Sequence, residues 1–398
     1  IKAKAIESCK RIHALMLTSS VNWNSFSLGS KLTGVYASCG DFGSAKLLFQ
    51  ETQNPSVFAY NWMISALTFH GHHEEALGYF TLLQESKNFC PNSYTFSSVL
   101  KACLGLMDVN VGKEVHSLIC KMAYDVDVSV GNALIDVYGK CGHIWDARMT
   151  FDEMTKRDVA SWTSMICGYF SAGKFEESVT LFERMRLEGV EPNDFTWNAM
   201  IAGYARRADC DKAFMFFTRM REERLIPDLV TWNAMISGFV QSQRAGEAFK
   251  LFQDMLCSGI MPNQVTFTGL LPACGLIGSI HRGREIHGFI CRMEMDVNAF
   301  VATALIDVYS KCGSMRDAWN VFNSISCKNI ASWNAMIRCY GNNGMVDLSV
   351  ELFLRMQDEG IQANEVTFTS ILSSCSHGGL VDKGLGIFKL MKEQYGIE

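Results

Sequence analysis

This 398-residue sequence is poor in proline, poor in charge and free of long apolar runs. It has 6 prolines and 19% Asp, Glu, Lys and Arg, and nowhere do 18 apolar residues follow one another. The last absence excludes a membrane-spanning helix. Few prolines beside 48% hydrophobic residues suit a helical protein with much buried surface. A net charge of −5 is not that of a basic nucleic-acid-binding domain, so any polyanion must meet a local basic stripe. Fifteen cysteines are present, but no two lie closer than 12 residues (Cys327 to Cys339), which excludes a C-x-x-C zinc knuckle. Their odd number fits a reducing compartment. No signal or transit peptide is present, and the chain opens inside a repeat, so a piece of a longer protein is expected.

What is present is repetition. Trp-Asn-Ala-Met-Ile occurs three times, starting at Trp197, Trp232 and Trp333, with offsets of 35 and 101. Asn132-Ala-Leu-Ile-Asp-Val-Tyr-Gly-Lys-Cys-Gly142 returns as Thr303-Ala-Leu-Ile-Asp-Val-Tyr-Ser-Lys-Cys-Gly313 after 171 residues. Self-similarity near 35 residues is the mark of a stacked array that grows without a single closed core. Closing each unit on the residue after Pro192, Pro227 or Pro262 gives a gapless division. A partial unit covers 1–25; units follow at 26–56, 57–92, 93–127, 128–158, 159–193, 194–228, 229–263, 264–298, 299–329, 330–364 and 365–398.

Each unit reads as two helices. In 229–263, Trp232, Met235, Ile236 and Phe239 form one helical face, and Ala248, Leu251, Phe252 and Met255 a second. Gly259 stops the second helix and Pro262 prevents it from continuing. Two short amphipathic helices bury their stripes only when stacked on neighbours, so an all-α array with a concave groove is expected. The cysteines follow the repeat: Cys39, Cys141 and Cys312 share one position, and Cys103, Cys274 and Cys375 another, as small buried residues at tight packing points.

Thr231-Trp-Asn-Ala-Met-Ile, Glu247-Ala-x-x-Leu-Phe-x-x-Met255 and the closing Pro-Asn or Pro-Asp resemble the pentatricopeptide repeat family of plant organelles, along the whole chain. The tetratricopeptide W-x-x-L-G-x-x-Y signature is missing. The resemblance implies a right-handed superhelical α-solenoid of about 11–12 helix-turn-helix repeats. Mixed unit lengths narrow it to the P-L-S subclass. Segments 26–56, 128–158 and 299–329, with Tyr36, Tyr138 and Tyr309 before Cys-Gly, look like S repeats. Segments 93–127, 264–298 and 365–398 look like L repeats, as does the partial 1–25. Segments 57–92, 159–193, 194–228, 229–263 and 330–364 look like P repeats.

One helical repeat can read one base of single-stranded RNA with two or three side chains. In the resembled family these are the fifth and last residues of each unit. Asn at the fifth position favours pyrimidines, Thr or Ser purines. A last-position Asp can only accept and suits the imino N–H of U or G; Asn can donate to N3 of C or N1 of A. Carried over, Asn61/Asn92 prefers C over U, Asn132/Asp158 U, Thr163/Asn193 A, Asn198/Asp228 U, Asn233/Asn263 C, Thr303/Asn329 A and Asn334/Asn364 C over U. Ser30/Ser56 matches no strong code; Ser97/Asp127 and Thr268/Asn298 stay unassigned. The implied target is 5′-Y-n-U-A-U-C-n-A-Y-3′. Phe58, Phe195, Val230 and Phe300, at the second position, would stack on bases, while Ser129, Ala160 and Ala331 are small. Lys140, Arg206 and Lys311 could meet phosphates at the end of the first helix, few enough to expect a modest salt dependence.

No catalytic set stands in the sequence. A zinc deaminase needs H-x-E and a downstream P-C-x-x-C. His72-His73-Glu74 matches the first in a turn, and no C-x-x-C follows. The pairs His116/Cys120 and His287/Cys291 have metal-ligand spacing but sit at equivalent repeat positions, which favours packing. No cofactor, metal or catalysis is therefore expected. The resemblance implies an RNA-binding array that places an editing deaminase, supplied by a further C-terminal part or in trans, near a cytidine in a mitochondrion or chloroplast. Splicing, stabilisation or translation of an organelle transcript is the alternative outcome, and a tetratricopeptide-like protein scaffold the alternative class. Accessory editing proteins docking on L repeats are a further implication.

Overall fold

A computed structural model describes residues 2–18, 28–52, 54–86, 89–293 and 298–397. The parts of segments 1–25, 26–56, 57–92, 264–298 and 365–398 that fall elsewhere lie outside the described residues. Among these residues the chain forms 23 α-helices and no strand. It divides into two compact units, residues 1–199 and 200–398.

Most first helices of the units open one residue after an Asn, Asp or Ser. Val57–Phe69, Ser93–Leu106, Val128–Lys140 and Val159–Ser171 follow Ser56, Asn92, Asp127 and Asp158, and each of these four side chains accepts from a backbone N–H of the first turn. Leu229–Gln241, Gln264–Leu276, Ala299–Lys311, Ile330–Asn342 and Glu365–His377 open in the same way on Asp228, Asn263, Asn298, Asn329 and Asn364. The second helices of segments 159–193, 229–263 and 330–364 end in left-handed backbone: Gly189, Gly259 and Gly360 have φ of 79°, 76° and 75°. Arg224 occupies the same turn of segment 194–228 at φ 61°.

Within residues 1–199 the first helices from Leu28–Cys39 to Val159–Ser171 lie side by side in chain order. The intervening helices His73–Glu85, Val109–Lys121 and Ile144–Glu153 each pack between their own first helix and the next. Residues 200–398 repeat the plan from Leu229–Gln241 to Glu365–His377. Trp232, Met235, Ile236, Phe239, Ala248, Leu251, Phe252 and Met255 are all buried. One contact recurs at the heart of the stack. Phe151, Phe217 and Phe322, on second helices, meet Trp162, Trp232 and Trp333 of the next first helix edge-on, at 4.9, 4.9 and 5.0 Å between ring centroids. Such pairs add about 0.5–1.5 kcal/mol beyond their buried area.

Candidate nucleic-acid interface

The fifth-position asparagines sit in the first-helix layer, turned towards the cap of the following helix. Asn61, Asn132, Asn233 and Asn334 donate from Nδ2 to Oδ1 of Asn92, Asp158, Asn263 and Asn364 at 3.2, 3.1, 3.3 and 3.2 Å. Four of the pairs named from sequence are thus joined directly, across 26 to 31 residues.

A third group completes each set. The last residue of a unit is also the N-cap of the next helix, and three residues on stands a buried Thr or Ser. Asn92 Oδ1 accepts from the Thr95 backbone N–H at 2.9 Å, and the Thr95 hydroxyl accepts from the Asn92 N–H at 3.1 Å. The result is a reciprocal capping box. The Thr95 hydroxyl also lies 2.6 Å from Asn61 Oδ1 and 3.0 Å from Asn92 Oδ1, so its single proton can serve either. Thr266 repeats this with Asn233 at 2.7 Å and Asn263 at 3.1 Å, and Thr367 with Asn334 at 2.7 Å and Asn364 at 3.0 Å. All three threonines are at most 1% exposed. Segment 128–158 differs. Ser161 donates to Asp158 at 2.9 Å, and Asn132 Oδ1 is left buried without a partner among the described residues. Burial opposes ionisation of Asp158, but hydrogen bonds from the Ser161 N–H, the Asn132 amide and the Ser161 hydroxyl hold its carboxyl below the usual range.

The threonine pairs Thr163/Asn193 and Thr303/Asn329 show no such direct bond among the described residues. The Thr163 hydroxyl bonds Val159 O and the Thr196 hydroxyl, both at 2.8 Å, and Thr196 in turn caps with Asn193. Thr303 donates to Ala299 O at 2.6 Å, while Asn329 caps Ser332 at 3.0 Å. Asn198 and Asp228 fall in different compact units. Asn198 is half-buried, and Asp228 accepts from the Thr231 N–H and hydroxyl, both at 2.8 Å. Ser30 and Ser56 hydroxyls lie 2.9 Å apart.

The second-position residues stand out from the packed layer. Phe58, Phe195, Val230 and Phe300 are 64, 77, 60 and 70% exposed, and Tyr94, Val265 and Val366 occupy the same slot, also exposed. Exposed apolar side chains recurring at one repeat position form a ladder on each unit rather than scattered surface residues. The basic residues are less committed to a phosphate role. Lys140 donates to Asp136 at 2.8 Å, one turn back on its own helix. Lys311 lays its stem against Gly275, and Arg206 is exposed.

The histidines singled out in the sequence, His73, His116 and His287, serve packing. His73 packs over Gly105, where any Cβ would run into its ring. His116 and His287 do not pair with Cys120 and Cys291. Their Nδ1 atoms lie 2.9 Å from the hydroxyls of Tyr138 and Tyr309 on the next first helix, and His13 repeats the contact with Tyr36 at 3.3 Å. Burial lowers the pKa of His116 and His287 and raises those of Tyr138 and Tyr309 to about 12. Cys103 and Cys274 are fully buried, and burial raises their thiols to about 12, which suits packing rather than reactivity. The sequence reading missed the capping hydroxyls and the His–Tyr contacts. The first were signalled by the Asn/Asp-x-x-Thr/Ser pattern that starts at Asn92, Asp158, Asn193, Asp228, Asn263, Asn329 and Asn364.

The fold and the recurring side-chain sets define a helical-hairpin repeat protein. A PPR repeat family model matches residues 55–105, 157–206, 193–231, 227–275 and 328–377, and a PPR repeat model matches 132–159, 300–330 and 366–395. One pentatricopeptide repeat-containing protein of Arabidopsis thaliana is 44% identical over 386 residues, covering 97% of this chain and 72% of its own length. A second is 39% identical over 394 residues, covering 98% and 58%. The chain belongs to the pentatricopeptide repeat family. It spans 57, 60 and 52% of three further Arabidopsis relatives, one of them named as chloroplastic. The crystal structure of the maize pentatricopeptide repeat protein PPR10 shares the fold, with a TM-score of 0.52 and 23% identity over 93% of this chain and 54% of that one. PPR10 has also been solved in complex with an 18-nt psaJ RNA element.

Proposed function

We propose that this chain binds single-stranded RNA in a sequence-specific manner, one base per repeat, with 5′-Y-n-U-A-U-C-n-A-Y-3′ as its target. The observation that carries the reading is the chemistry left over at each cap. In the Asn61/Asn92, Asn233/Asn263 and Asn334/Asn364 sets, the last-residue oxygen is consumed by the cap and by the fifth-position amide. The Asn Nδ2 then faces outward as a donor, suited to N3 of cytosine. At Asp158 the same bonds consume Oδ1 and leave Oδ2, an acceptor suited to the imino N–H of uracil. The fold's own hydrogen bonds thus orient the amide before RNA arrives.

The ladder of Phe58, Phe195, Val230 and Phe300 supplies stacking surfaces beside these groups, each worth about 1–3 kcal/mol per base. The role we favour is site recognition for an organellar C-to-U editing factor in a plant. It rests on the alternation of unit lengths, with the deaminase acting from another part of the protein or in trans. The P, L and S identities of the units belong to the same proposal. Gel shifts with the target RNA and with a version altered throughout U-A-U-C test the core of the reading. The altered RNA should bind at least tenfold more weakly; equal binding to both would sink it.

A further inference from the structure

We infer that Arg338 and Gly275 free Lys311 to hold an RNA phosphate, whereas Lys140, its equivalent in segment 128–158, is cancelled by Asp136; the inference rests on the RNA-binding reading above. The two lysines occupy one repeat position. Each closes a first helix, Val128–Lys140 or Ala299–Lys311, one turn after an aspartate, Asp136 or Asp307. The local sequence thus offers each lysine the same partner. Residues on the neighbouring helices decide between two outcomes.

In segment 128–158, Lys140 Nζ lies 2.8 Å from Asp136 Oδ2. The following first helix, Val159–Ser171, carries Cys167 where Ile330–Asn342 carries Arg338, so it offers Asp136 no cation at that position. The preceding helix carries Leu104 at the position of Gly275. In segment 299–329 both neighbours differ. Arg338 donates to Asp307 Oδ1 at 2.7 Å and takes the carboxylate. Lys311 lies towards the preceding segment instead. Its stem crosses the bare backbone at Gly275, where a Cβ would stand 2.7 Å from Lys311 Cδ. Lys311 is exposed and makes no ion pair among the described residues.

The difference is one of charge. An exposed ion pair one turn apart is weak, and a lysine can swing out of it. The carboxylate stays behind, well inside a screening length of about 10 Å at 0.1 M salt. Asp136 and Lys140 together therefore present no net charge to a polyanion. Lys311 and Arg338, two cations against the one carboxylate of Asp307, present a positive charge. Asp307 follows Thr303 and Arg338 follows Asn334 by four residues, so the pair lies one turn along the face that carries the base-reading slot. A phosphate is met beside the eighth nucleotide of the target and not beside the third.

The dependence of log Kd on log salt concentration, measured by fluorescence anisotropy on the full chain with 5′-CAUAUCAAC-3′, tests this. Each phosphate contact adds about 0.7 to the slope on a single strand. Lys311→Ala should lower the slope by about 0.7, and Lys140→Ala should leave it unchanged. Asp136→Asn, which uncovers Lys140, should raise it by about 0.7. Arg338→Ala leaves Asp307 to cancel Lys311 and should match Lys311→Ala. Adding Asp307→Asn to Arg338→Ala should restore the parent slope. Adding Asp347→Asn instead, on the second helix Val346–Asp358, changes net charge equally and should restore nothing. Equal losses for Lys140→Ala and Lys311→Ala would overturn the inference. So would restoration by Asp347→Asn, failure of Asp307→Asn to restore, or an Arg338→Ala variant with a lowered melting temperature and an unchanged slope. Failure of the array reading itself shows separately, as indifference to a scrambled U-A-U-C core.

Discussion

The Thr95 hydroxyl lies 2.6 Å from Asn61 Oδ1, joining a side chain on one first helix to a residue 34 positions earlier on the preceding one. The same oxygen closes the capping box with Asn92. One buried hydroxyl therefore serves helix initiation, repeat stacking and the orientation of two amides. Its equivalents are Thr266 and Thr367.

Thr266→Val, nearly isosteric, removes that hydroxyl and strands the Asn263 N–H and the Asn233 oxygen. A stability loss of about 1–3 kcal/mol is expected in denaturant titration. The amide of Asn263 is also freed to turn, so preference for C over U at the facing base should shrink while the other bases keep theirs. Thr266→Ser should restore both. Loss of stability with intact discrimination would show that the hydroxyl acts on the fold alone.

Asn263→Asp keeps a good N-cap and changes only the outward group from donor to acceptor. Stability should stay within about 0.5 kcal/mol. Preference at the sixth nucleotide should move from C towards U by about tenfold, and gel shifts with the two RNAs measure it directly. An unchanged preference would mean that Asn263 serves as a cap and reads nothing.

Phe195 is 77% exposed, so its side chain contributes little to packing. Phe195→Ala should leave the melting curve within about 0.5 kcal/mol of the parent. RNA affinity should fall between about fivefold and a hundredfold, the range of one lost base stack. A variant that binds as well as the parent would remove the exposed ladder from the binding surface.

Arg224 sits at φ 61° in the turn where Gly189, Gly259 and Gly360 stand in other segments. A side chain in left-handed backbone costs about 1–2 kcal/mol, and a glycine there gives back part of that gain through its freer unfolded chain. Arg224→Gly should therefore raise stability by about 0.5–1 kcal/mol. A melting temperature that falls would show that the arginine makes a compensating contact.

The sequence made the helix faces legible because burial is periodic: Trp232, Met235 and Ile236 could be assigned to a core from spacing alone. The first residues of the helices were legible from Pro192, Pro227 and Pro262 for a similarly local reason. Hydrogen bonds between side chains some 30 residues apart were not. Asn61 and Asn92 were paired through the family resemblance, which leaves out Thr95, the residue that holds both. The unlike surroundings of Lys140 and Lys311 were hidden for a different cause. They are made by residues on adjacent helices, Arg338 and Gly275 among them, and no single position signals that.

His116 and Tyr138 couple segment 93–127 to segment 128–158, and His287 and Tyr309 repeat the contact between 264–298 and 299–329. Burial lowers both histidine pKa values below the ordinary 6.5. In the neutral ring, Nδ1 can accept from a phenol whose own pKa is raised to about 12 and which therefore stays protonated. At pH values below about 6.5 the unfolded chain binds protons that the folded chain refuses, so stability must fall as pH drops through that window and level off above it. Asp158, held below its ordinary 3.8, loses its contribution only at still lower pH, which separates the two effects. Thermal melts from pH 5 to 8 should show the decline in the parent chain. The double variant His116→Gln, His287→Gln, which removes both titrating rings, should give a flatter profile even if it is less stable at pH 8. An equal acid loss in both proteins would place the titration on other groups.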